Sequence, residues 1–167
     1  MRKRKIHSRS SLQALWFGLS FLIVIIDQIT KWLVMHYIAY NETVKVFTGF
    51  DLTLRHNTGA AFNFLADESG WQRWFFVTLA TVISLVVVVW MRRLTVHDKQ
   101  EGYALALILG GAIGNLIDRA LYGHVIDFIL WYYKDWQYPA FNIADSAICV
   151  GVALFVLSMF KRNTHDT

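Results

Sequence analysis

Apolar positions along the 167 residues gather into four long runs separated by polar stretches. The first covers about 12–37 and is broken by Asp27 and Lys31, and the second covers about 71–91, uncharged from Trp74 onward. The third, about 102–121, carries Asp118 and Arg119 at its far end, and in the fourth, about 140–160, the only charge is Asp145. A helix needs about 20 apolar residues to cross a hydrocarbon core, and each run is long enough. The pattern predicts an all-α membrane protein, a four-transmembrane-helix bundle forming one domain over residues 1–167. The basic start and first apolar run resemble a cleavable leader, but no small-residue cleavage site follows and "WLVMHYI" resumes the run after Lys31. It therefore reads as a retained span.

Between the runs lie two connecting segments, about 38–70 and 122–139. In "FDLTLRHNTG", Phe50, Leu52 and Leu54 alternate with Asp51, Thr53 and Arg55, the period of a half-buried strand. Asn57-Thr58-Gly59 reads as the turn after it, so a small external β-sheet is expected there. "GHVIDFILWYY" reads as a loop held near the membrane by its apolarity.

Composition agrees with the pattern. At 56% hydrophobic and 17% charged, the chain has too little charge to cover a water-soluble surface. The net charge of +4 would suit a nucleic-acid partner, but its basic residues flank the spans instead. Five Lys/Arg precede the first span, three lie in "RRLTVHDK" and two follow the fourth. All fall on one side, which the positive-inside rule makes cytoplasmic. Both termini are then inside and both longer loops outside, and no nucleic-acid partner is expected. A single cysteine excludes an internal disulfide.

With that orientation, several polar groups share one outer layer. An ionised side chain at bilayer depth is costly and marks function by default. Asp27 and Lys31, four apart with the acid first, suit an ion pair. Gly111, Asn115 and Arg119 form one helical stripe, and Gly110 and Gly114 permit close helix approach. Asp118 reads as a structural partner of the stripe. Asp127 and Asp145 have no cation nearby in sequence. Brought together they would share a proton, as in an aspartic-protease dyad. Two other readings stay open: an ion or proton carrier, and acids held by buried hydrogen bonds. Ser146 with Lys31 is a weaker nucleophilic pair, and Cys149 reads as a packing residue. The six histidines show no metal-ligand spacing, so neither metal nor cofactor is expected.

The motifs "DQITK" (27–31), "RHNTGAAF" (55–62), "GGAIGNLIDR" (110–119), "GHVIDF" (123–128) and "FNIADSAI" (141–148) occur in that order. Together they closely resemble the lipoprotein signal peptidase family, also called signal peptidase II, over nearly the whole chain. The resemblance implies a bacterial inner-membrane aspartic endopeptidase with external catalytic residues, a small external sheet and a short surface helix from the first loop. It implies Asp127 and Asp145 as the catalytic dyad, with Asn57, Asn115, Arg119 and Asn142 lining the site. Asp27, Lys31 and Gly111 would support it. The implied substrate is a diacylglyceryl-prolipoprotein in membrane lipid, cut N-terminal to its lipidated cysteine. No cofactor is implied, and a monomer is expected.

Overall fold

Four helices occupy the four apolar runs in the computed structural model, which describes residues 9–59 and 71–163. They are α1 (Arg9–Tyr37), α2 (Trp71–Arg93), α3 (Lys99–Tyr122) and α4 (Ile143–Asn163). All four are long and apolar enough to span a membrane. Their outer faces carry large exposed apolar side chains such as Phe21, Ile29, Trp32, Leu85 and Phe160. Such faces are covered at no cost by lipid, whereas water would penalise them.

Helix α3 is the centre of the bundle, packing against α1, α2 and α4. Its small residues explain why. A Cβ on Gly110 would meet Ile23 and the Ser20 carbonyl of α1, and one on Gly111 would run into Ala144 and Ile148 of α4. Close backbone approach through small residues is how helices associate without a hydrophobic drive between them. Ser20 Oγ donates to the Ala106 carbonyl at 2.9 Å, tying α1 to α3 at the contact. Toward the far end of α3, Trp16, Met91, Leu105 and Leu109 form an apolar core.

The near end carries a four-stranded antiparallel sheet, ordered β1 (Thr43–Phe47), β2 (Phe50–Asn57), β3 (Val125–Tyr133) and β4 (Trp136–Gln137). Val34, Ile38, Leu54, Ile126 and Phe128 form a second core that seats the sheet on α1. The expected strand at 50–55 is present as β2. Of its polar set only Arg55 is exposed, whereas Asp51 and Thr53 are buried. Thr53 Oγ1 donates to the Glu42 carbonyl at 2.7 Å, which satisfies its hydroxyl.

The segment 122–139, read from sequence as a loop, is instead the strand pair β3 and β4. The first four residues of β3 are all buried, so no alternation marks it. Gly123 makes the entry to β3 possible. It adopts φ +82° and donates its N–H to the Arg119 carbonyl at 3.1 Å, ending α3 with a left-handed cap. The fourth span also begins later than expected, at Ile143, because Phe141 pairs with Ile129 at the sheet edge. The expected surface helix of the first loop has no counterpart in 38–59, and the rest of that loop, 60–70, lies outside the described residues.

Candidate active site

The sequence Asn142-Ile-Ala-Asp145 builds the start of α4. Asn142 Oδ1 accepts the Asp145 N–H at 2.8 Å, and the Asp145 carboxylate accepts the Asn142 N–H at 3.3 Å. This is a reciprocal capping box with Asp in the place of Glu. Asp145 therefore lies in the first helical turn, not inside the apolar span. An acid there meets the positive end of the helix dipole and free backbone donors. Asp27 of α1 supplies another cap, accepting the Ala144 N–H at 2.9 Å.

Asn142 also faces β3. Its Nδ2 donates to Asp127 Oδ1 at 2.8 Å, to Asn115 Oδ1 at 3.1 Å and to the Ile126 carbonyl at 3.2 Å. One buried residue thus reaches both candidate carboxyls, donating its side-chain amide to Asp127 and its backbone N–H to Asp145. Asn115 completes the connection by donating Nδ2 to Asp145 Oδ1 at 2.7 Å. From β2, Asn57 donates to Asp127 Oδ2 at 2.8 Å, while its own Oδ1 accepts the Gly59 N–H. Burial, followed by the charge of Asp145, pushes the Asp127 carboxyl up to about 7.

Beneath the pair lies a buried ion cluster. Lys31 Nζ is 2.8 Å from Asp27 and 2.7 Å from Asp118, and all three side chains are at most 1% exposed. The sequence expected only the first of these two pairs. Lys31 donates to Asn115 Oδ1 at 3.1 Å, which sets the amide so that its nitrogen faces Asp145. Asp118 accepts the Ile126 N–H at 3.1 Å and so pins β3 one residue before Asp127. Gln28, missed in the sequence reading, donates to Asp118 at 2.9 Å and to Asp27 at 3.2 Å. Its position three residues before Lys31, on the same helical face, was the available signal.

The remaining predicted residues divide. Arg119 is half-buried above the Phe76 ring at 5.1 Å and interacts electrostatically with Asp145 and Asp127. Gly111 lies one turn away from Asn115 and serves helix packing. Ser146 Oγ donates to the Asn142 carbonyl at 2.9 Å, and Lys31 is engaged elsewhere, which removes the motive for a Ser/Lys pair. Cys149 is exposed on the outer face of α4 and is not a packing residue. His56 and His124 stack at 3.9 Å, and burial holds both imidazoles below their usual value. Among the described residues no cluster of three or more His, Cys, Asp or Glu could hold a metal ion.

Four helices able to span a membrane, with two carboxyl groups met by one asparagine, fit the class of intramembrane aspartic peptidases. Comparison with known proteins narrows the class. Residues 19–161 match the family described as "Signal peptidase (SPase) II", and the chain belongs to that family. It is 50% identical over 164 residues to a lipoprotein signal peptidase of Pseudomonas syringae pv. tomato, covering 96% of this chain and 95% of that one. A lipoprotein signal peptidase of Teredinibacter turnerae is 47% identical over 152 residues, with 90% of each chain covered. A solved bacterial membrane enzyme, determined by the in meso method at 2.3 Å, superposes with a TM-score of 0.81 at 28% identity over 92% of each chain. The activity of this chain is that of a signal-peptidase-II-type aspartic endopeptidase acting on prolipoproteins.

Proposed function

We propose that Asp127 and Asp145 are the catalytic pair and that they cut a diacylglyceryl-modified prolipoprotein N-terminal to its lipidated cysteine. The observation that carries this reading is the Asn142 bridge, whose side-chain amide donates to the Asp127 carboxyl and whose backbone N–H donates to that of Asp145 at the start of α4. Near neutral pH the pair shares one proton, and the raised value of Asp127 assigns it there.

Asp145 then acts as general base. It takes a proton from water, whose oxygen attacks the scissile carbonyl carbon. Asp127 gives its proton to the carbonyl oxygen, and a neutral tetrahedral gem-diol forms without an acyl-enzyme. On collapse, Asp145 passes its proton to the leaving amine while Asp127 recovers one from the diol. Each carboxyl ends in its starting state. Arg119 is available to hold a substrate carbonyl, since its side chain has no hydrogen-bond acceptor among the described residues. Lys31, Asn115 and Asp118 act through the positions of Asp145 and β3.

The pair lies at the outer face of the cytoplasmic membrane. Support comes from Arg92, Arg93 and Lys99, which sit at the opposite end of the bundle, where the positive-inside rule expects cytoplasm. Acyl chains of the substrate can remain in lipid while the peptide bond meets the polar layer. The chain acts as a monomer, because its glycine contacts are spent within one bundle.

The test is cleavage of a diacylglyceryl-prolipoprotein by wild type, Asp127→Asn and Asp145→Asn in detergent, with helicity and unfolding checked. Both variants should fold and lose cleavage. Near wild-type cleavage by either folded variant would remove it from the catalytic pair.

A further inference from the structure

A groove of about 600 Å³ opens between α2 and α3 at the other end of the bundle. Glu101 lines it, seventeen residues before Asp118 on α3, so it lies roughly 26 Å from the catalytic layer at 1.5 Å per residue. Its floor is apolar, formed by Leu85, Val89, Trp90 and Leu94. Leu85, Val89 and Trp90 are well exposed and face lipid in a membrane. Arg93 and Glu101 also line it.

These two opposite charges line one groove, yet no ion pair or side-chain hydrogen bond engages either among the described residues. The third charged group there, Asp98, is occupied by the Thr95 N–H at 2.9 Å and the Thr95 hydroxyl at 2.7 Å. An apolar trough about 12 Å long, from Leu85 to Arg93 on α2, suits an acyl chain. The same lining offers a guanidinium for a phosphodiester and a carboxylate for a cation.

We infer that this groove is a binding site for one zwitterionic phospholipid whose headgroup carries a primary ammonium. The phosphate pairs with Arg93, the ammonium donates to Glu101, and one acyl chain lies along Leu85, Val89 and Trp90. A purely anionic headgroup would leave Glu101 facing negative charge. A trimethylated one would offer Glu101 no N–H donor. The chemistry therefore selects the aminophospholipid.

Native mass spectrometry of the full-length chain tests the site. It would be titrated in detergent with phosphatidylethanolamine, phosphatidylcholine and phosphatidylglycerol of identical acyl chains. The first ethanolamine lipid should bind about fivefold more tightly than either of the others, the scale of one charge-assisted contact at a surface. Glu101→Gln should erase the preference over phosphatidylcholine, and Arg93→Gln should weaken all three lipids. Both variants should cleave substrate at the wild-type rate, which reports the fold. Binding of the three lipids within twofold, tighter binding of phosphatidylglycerol, or an intact preference in folded Glu101→Gln would overturn the assignment.

Discussion

Replacing Asn142 with serine separates two jobs that the native side chain performs together. Serine is as good an N-cap as asparagine, so the bond to the Asp145 N–H survives. It is too short to reach Asp127, Asn115 and the Ile126 carbonyl, which now lie 2.8, 3.1 and 3.2 Å from Nδ2. Leaving buried acceptors short of a donor costs about 1–3 kcal/mol. Asn142→Ala loses the cap as well, about 1 kcal/mol more, so it should cost roughly 2–4 kcal/mol in all. The catalytic effect should be similar for both. Without the bridge the carboxyls lose their mutual geometry, and misplacement on the ångström scale costs on the order of 10²-fold in kcat.

The pH profile carries a second signature. The Asn142 side-chain amide favours ionised Asp127, so its removal raises the Asp127 carboxyl further above about 7. The proton needed by the carbonyl oxygen is then retained to higher pH, and the basic limb of kcat moves up. Steady-state cleavage of a diacylglyceryl-prolipoprotein from pH 5 to 9, beside unfolding in detergent, measures all of this. A folded Asn142→Ser enzyme with wild-type kcat and an unmoved basic limb would refute the bridge as the organiser of the pair.

Other outcomes follow from the same geometry. Lys31→Met leaves Asp27 and Asp118 buried without their cation and should destabilise the bundle by about 3–5 kcal/mol in detergent unfolding; a loss below about 1 kcal/mol would show that the cluster is not held by charge. Gly111→Val should drive α3 from Ala144 and Ile148 of α4 at a cost of about 1–3 kcal/mol, with cleavage falling as Asn115 withdraws from Asp145. Gly18, inside α1 where an added Cβ meets nothing within 4 Å, is the control: Gly18→Ala should leave cleavage unchanged and cost no stability. The stacked His56 and His124 titrate below the unfolded value near 6.5. Between the folded and unfolded values the unfolded chain binds more protons, so stability should drop as pH falls below about 6.5. His124→Gln should flatten that slope, and an unchanged slope would remove the pair as its source.

The four spans were legible because length and apolarity are properties of a single stretch of chain. Their ends followed less well. Asp145 reads as intramembrane until Phe141 is seen pairing with Ile129, which delays α4 and puts the acid in its first turn. Strand β3 was missed because a strand buried over its first four residues has no alternation to show. The motifs singled out both acids, Asn57, Asn115 and Asn142, and the structure joins these five side chains in one hydrogen-bonded group. The special packing positions Gly110 and Gly114 were legible as well.

Which of these residues meet was decided by the tertiary structure. Asn57 reaches Asp127 across 70 residues, and Asp27 caps Ala144 across 117. No local period encodes such a partner. Sequence paired Asp27 with Lys31 and set Asp118 apart from Asp127 and Asp145, but the same limit hid the contact of Asp118 with that lysine. Asp27 and Asp118 share the Lys31 ammonium, while Asp127 and Asp145 are held by amides. Sequence placed the four carboxyls near one depth. Packing brought Asp118 as well as Asp27 onto one lysine and set Asp127 and Asp145 among amide donors, a choice of neighbours that no single stretch of chain carries.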